Sequence, residues 1–219
     1  MTKRKIFGLA LVGVALGLLM VAPAFAALVA VNDLVKFKSD ANRDSSYGGG
    51  LFDVYVNNSS SAIFKTFCVE TIEHINFNEN YRVDSIGPAV AGGSGGPSPD
   101  PISMQTAYLY SRFTWGTLSG FNITSGSDQR GVQEAIWFFE QEAGYSGGGL
   151  AAAWVALANA NATAADLTLV KAFNPVDVTT QAFKQSMLVY VPEPGTLGLL
   201  GLGLVGMSFI SRRRTKRME

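Results

Sequence analysis

Between Leu28 and Ile86 the apolar positions come in short runs rich in β-branched and aromatic residues, as in Leu51–Val56, Ile63–Val69 and Asn80–Ile86. Such runs predict strands. Gly48–Gly50 and Asn57–Ser60 separate them and read as turns. A Gly/Ser/Pro stretch from Gly87 to Pro101 follows and reads as a solvated loop. Beyond it the period changes. Pro101 suits a helix start, and Ile102 to Phe113 contains no breaker, which predicts a helix. After a polar loop from Gly116 to Gly126, Ser127 or Asp128 is positioned to cap a second helix. Its residues Val132, Ala135, Ile136 and Phe139 fall on one face, and Gly144 is expected to end it. An Ala-rich third helix is predicted over Leu150–Asn161, and strands over Leu167–Phe173 and Phe183–Val191. The order β, helical insert, β predicts an α+β fold: a β-sandwich or barrel with an inserted helical subdomain.

Two further apolar runs flank this body. Lys3, Arg4 and Lys5 precede the run Ile6–Val21, and Ala24-Phe25-Ala26 follows it. A basic start, an apolar stretch and a small-x-small site describe a signal peptide, cut after Ala26. An uncleaved anchor is the alternative. At the other end Pro192-Glu193-Pro194 leads into a 15-residue apolar run, Thr196–Ile210, which is followed by Arg212, Arg213, Arg214, Lys216 and Arg217. The run is short for a span that needs about 20 residues. The basic cluster holds the tail on the cytoplasmic side, so the body is expected outside the inner membrane. The resulting division is 1–26 signal peptide, 27–190 exported domain, and 191–219 sorting segment with a transmembrane helix.

The tail resembles the PEP-CTERM sorting signal, through Pro192-Glu193-Pro194, the weak apolar span and the arginine cluster. That resemblance implies export through the Sec machinery, transient residence in the inner membrane, and processing by an exosortase. It also implies delivery to the cell surface or extracellular matrix of a biofilm-forming bacterium.

Charge narrows the partners. Nine Lys and Arg face 15 Asp and Glu between residues 27 and 191, a net charge of −6 on the body. An acidic body is a poor ligand for phosphate backbones, so nucleic-acid binding is not expected.

Enzyme signals are scarce, and the body is not expected to be an enzyme. His74 is the single histidine, on a predicted strand edge, which leaves little material for a metal cluster or a Ser–His–Asp arrangement. Neither a metal nor a cofactor is expected. The pairs Glu70/Glu73 and Glu140/Glu142 can serve a glycosidase, but solvated faces account for them more simply.

Cys68 is the one cysteine, so no internal disulfide can form. It follows Phe67 on a predicted strand. Sixty-five residues later, Gln133-Glu134-Ala135-Ile136-Trp137 lies on the second predicted helix. Here the body resembles the thioester domains of bacterial surface adhesins, whose signature is a Cys after an aromatic residue and a Gln in a Q-x-A-I-W helix segment. The residue before the Gln, often Thr in that family, is Val132 here. The resemblance implies that the Cys68 sulfur attacks the Gln133 amide and expels ammonia. It further implies that the bond later acylates an amine or hydroxyl on a surface or matrix polymer. Phe67, Ala135, Ile136 and Trp137 would support the site. A shielding shell is a physical requirement too, because a thioester survives in water only where the site is partly dry. Two plainer readings stay open. Lone cysteines are commonly inert core residues, and Gln133 can satisfy a backbone group. The body would then be a non-covalent structural or carbohydrate-binding matrix domain.

Overall fold

The computed structural model describes residues 28–44, 46, 48–91 and 99–191. The expected signal peptide with Ala24 and Ala26, the Pro192-Glu193-Pro194 tripeptide, the apolar run and Arg212–Arg214 lie outside the described residues. No helix among the described residues is long and apolar enough to cross a membrane.

Ala27–Val191 forms one compact unit. Six strands make a single antiparallel sheet: β1 (Leu34–Ser39), β2 (Phe52–Val56), β3 (Phe64–Thr66), β4 (Asn80–Gly87), β7 (Val170–Asp177) and β8 (Met187–Tyr190), in the order β3-β2-β1-β4-β7-β8. Its two edges meet. Leu188 N–H donates to Phe67 O at 3.1 Å, Val69 N–H to Ser186 O at 2.9 Å, and Cys68 bridges Met187. The sheet is thus a nearly closed barrel, and closure removes the exposed edges that an open sheet would carry. A two-stranded ribbon, β5 (Ala89–Val90) with β6 (Asp100–Pro101), stands beside it.

Alternation along the strands fills the barrel. Val35 and Phe37, Phe52 and Val54, Tyr81 and Val83, and Met187 and Val189 share one buried core with Phe173 and Cys68. Phe37 stacks on Phe173 across this interior, ring centroids 6.1 Å apart. The described helices contribute one fully packed residue to that core, Trp137.

The helices lie between β6 and β7 in sequence: α1 (Met104–Thr114), α2 (Gly126–Phe139), a 3-10 turn (Gly149–Ala151), α3 (Ala152–Asn161) and α4 (Asp166–Leu169). They do not form a separate subdomain. Val132, Ala135 and Ile136 of α2 and Leu109 of α1 pack with Phe67, Val69, Val170 and Leu188 of the sheet in a second core.

Several boundaries differ from the sequence reading. Ser125, not Ser127 or Asp128, caps α2, accepting from Asp128 N–H at 3.2 Å, so the helix starts with Gly126. It stops at Phe139, before Gly144, because Gln141 takes the left-handed turn at φ 61°. The start of the expected strand 167–173 belongs to α4, where Asp166 accepts from Thr163 N–H at 2.9 Å. That carboxylate is an N-terminal anchor for the turn. His74 is exposed on irregular chain rather than on a strand edge.

Candidate functional site around Cys68 and Gln133

Cys68 continues β3 at the seam of the barrel, where β3 meets β8. Gln133 sits in the middle of α2, on the side that faces this seam. Both residues are 0% exposed. The carboxamide lies along the Cys68 backbone as a further strand would. Gln133 Nε2 donates to Cys68 O at 2.7 Å, and Cys68 N–H donates back to Gln133 Oε1 at 3.2 Å. Both polar atoms of a buried amide are thereby paired, which avoids a cost of about 1–3 kcal/mol.

The same oxygen receives two more donors. Cys68 Sγ–H lies 3.3 Å away, and Gly50 N–H 3.3 Å away. Because a C=O bond is about 1.2 Å long, the sulfur is within about 4.5 Å of the amide carbon. Two backbone N–H groups, those of Cys68 and Gly50, aim at the one oxygen that would gain negative charge if sulfur added to that carbon. This is the layout of an oxyanion hole. The contacts are slightly longer than the about 2.7–3.1 Å of a formed oxyanion site.

The thiol is not poised as a thiolate. Burial pushes it well above the usual thiol range; the nearby charge of Arg43 opposes this, and those of Glu70 and Glu142 add to it. A sulfur attack on the amide would therefore have to be coupled to loss of the thiol proton.

A loop covers the pair. A Cβ on Gly49 would fall 2.4 Å from Trp137 Cη2 and 2.6 Å from Gln133 Cγ, so only glycine fits there. Gly50, at φ +111°, adopts a conformation that other residues reach at a cost. Arg43 fastens the loop. Its Nη1 donates to Gly49 O at 2.8 Å and its Nε to Ser39 Oγ at 3.0 Å, while the guanidinium lies over the Phe52 and Phe77 rings at 5.5 and 5.4 Å. Asp40 ties the start of the loop to α2 and to the sheet. It accepts from Gln129 Nε2 at 2.9 Å and from Lys65 Nζ at 2.6 Å. By sequence Gly48–Gly50 reads as a plain turn; three consecutive glycines directly before the predicted strand are the available signal.

The other expected site residues divide between the two cores. Phe67, Ala135 and Ile136 back the pair from the helix side, and Trp137 backs it from inside the barrel. Glu70, Glu140 and Glu142 are buried, not solvated, while Glu73 is half-buried. Glu140 accepts from Ser103 N–H at 3.1 Å and from its hydroxyl at 2.8 Å. Glu142 holds Thr71 through its amide at 3.2 Å and its hydroxyl. Glu70, 1% exposed, accepts from Ser186 N–H at 3.0 Å and is pushed up to about 7 chiefly by burial. They act as clamps between segments. Among the described residues no group of three or more His, Cys, Asp or Glu is arranged to hold a metal.

No curated protein and no solved structure matches this chain, so no relative supports the likeness of the body to thioester domains. Residues 191–214 match the family model of the PEP-CTERM protein-sorting motif, which implies an exported protein, held at the membrane as a precursor and processed by an exosortase.

Proposed function

We propose that the exported body carries an internal thioester between Cys68 and Gln133 and uses it once, to attach covalently to a surface or matrix polymer. The supporting observation is the sealed contact of Cys68 Sγ with Gln133 Oε1 at 3.3 Å, beneath a loop that admits only glycine at position 49. The step balances simply. Sulfur bonds to the amide carbon, the C–N bond breaks, and the departing NH2 takes the thiol proton and leaves as ammonia. The N–H groups of Gly50 and Cys68 steady the oxygen meanwhile. Later an amine or hydroxyl displaces sulfur, keeps the Gln133 acyl group and restores the thiol. No turnover follows, so the body is an adhesin and not an enzyme. Exosortase sorting through the C-terminal motif delivers it to the surface or matrix, after export by the Sec machinery.

Intact-mass measurement of the exported protein tests this. The expected result is a mass lower by one ammonia, restored to the full value in Cys68→Ala and in Gln133→Ala. A parent protein of full mass, with Cys68 titrating as one free thiol after unfolding, refutes it and leaves a non-covalent matrix domain.

A further inference from the structure

Trp115, just after α1, is 44% exposed, whereas Trp137 and Trp154, the other two tryptophans of the chain, are buried. Its ring stands edge-on to that of half-buried Tyr190, centroids 6.0 Å apart. Arg112 lies over the indole at 4.7 Å and contacts Asp166 at 3.6 Å, so its charge is met within the fold. The chain that follows, with Gly116, Leu118, Phe121 and exposed Ile123, joins Phe113 in lining an apolar cleft of about 260 Å3. An indole, a phenol ring and an apolar cleft thus share one stretch of surface.

This surface lies where the body ends. Tyr190 closes β8, and only four residues separate Val191 from Thr196, where the apolar run begins. Fully extended, that stretch reaches about 18 Å, whereas a body of this size is roughly 40 Å across. In the membrane-held precursor, a tether shorter than the body keeps the face that carries Tyr190 toward the lipid. Trp and Tyr are the side chains best suited to the headgroup level, because each joins an apolar ring to one polar atom. Val178 and Phe183 are as exposed as Trp115, but they lie in the β7–β8 turn, at the other end of β8.

We infer that Trp115, Tyr190 and Ile123 form the face on which the membrane-held precursor rests against the outer headgroup layer of the inner membrane. The attraction is aromatic and apolar rather than electrostatic, since the body carries −6 and gains nothing from anionic lipid. The contact keeps Pro192-Glu193-Pro194, which begins two residues after Tyr190, at the lipid surface until the precursor is processed. It rests on the sorting motif and is independent of the thioester.

The test reads tryptophan emission of the full-length precursor in phosphatidylcholine vesicles, with a nitroxide quencher either on the headgroup or at the end of the acyl chain. The headgroup label is expected to remove up to about a third of the emission, the share of one tryptophan in three, and to act more strongly than the chain-end label. Trp115→Phe should abolish that loss. Ile123→Glu should reduce it severalfold, while Phe183→Glu, the control for an added surface charge, should leave it unchanged. Absence of headgroup quenching in the parent, equal quenching in Trp115→Phe, or stronger quenching by the chain-end label overturns the inference, as does an Ile123→Glu variant quenched like the parent. Emission that shifts with the protein-to-lipid ratio, without headgroup quenching, assigns the patch to a second copy of the chain and overturns the lipid contact as well.

Discussion

Gly49→Ala is the sharpest probe of the site, because it adds one methyl group at the point where three segments meet. The new Cβ would lie 2.4 Å from Trp137 Cη2 and 2.6 Å from Gln133 Cγ. Neither neighbour can yield cheaply. Trp137 is wedged in the barrel core, and Gln133 is fixed by four hydrogen bonds with Cys68 and Gly50. Overpacking of this kind costs about 1–3 kcal/mol, which for a body of this size lowers Tm by about 2–12 °C. The Cys68–Gln133 contact should open at the same time, because Gln133 Cγ is pushed away from the loop that carries Gly50. Gly48→Ala is the control: its Cβ meets nothing within 4 Å, and a change within about 0.5 kcal/mol is expected. Thermal unfolding and intact mass are read together on both variants. If Gly49→Ala unfolds at the parent temperature and keeps the parent mass, the loop does not press on the amide and the account of the cover is wrong.

Glu70 makes stability depend on pH. Burial raises its pKa from 4.5 to about 7, so its stabilising contribution is complete below about pH 4.5 and is lost as pH rises through about 7. The loss is on the order of 3 kcal/mol, and urea unfolding across that window should show a slope that Glu70→Gln flattens. Ser103→Ala removes the cap of α1 and one donor to Glu140, and should cost about 0.5–2 kcal/mol in the same assay. Phe173→Ala empties the middle of the barrel beside Phe37 and should cost about 3–5 kcal/mol, read as a fall in the urea midpoint.

Strand and helix positions were legible where a period of two or of 3.6 dominates. Asn80–Ile86 alternates because one face fills the barrel, and Val132, Ala135 and Ile136 share the stripe that faces the sheet. The choice between sandwich and barrel was not legible. It depends on Phe67–Val69 pairing with Ser186–Leu188 across about 120 residues, and no local pattern specifies that register. The carboxylates misled for a related reason. Glu70, Glu140 and Glu142 look solvated in sequence, yet each finds backbone or hydroxyl donors from a distant segment, and burial follows from those partners. Cys68 and Gln133 stood out for their residue types, whereas Arg43, Gly49 and Gly50 are ordinary loop residues whose role comes from where the loop lands.

Burial has opposite effects on the two halves of the proposed chemistry. It lifts the Cys68 thiol far above its usual range, which discourages a standing thiolate and so also discourages oxidation on the outside of the cell. Attack on the amide then cannot draw on nucleophile strength. It must draw on placement: sulfur held against one carboxamide, with two backbone N–H groups already facing the oxygen that gains charge. Once formed, the acyl–sulfur bond is kept from water by the same loop and rings that now cover the amide. Such a bond would therefore close as the barrel closes and stay closed until something moves Trp137 or the Gly49 loop. On the proposed thioester reading the chemistry would follow export, with Cys68 consumed by its own chain before any other thiol or oxidant could reach it.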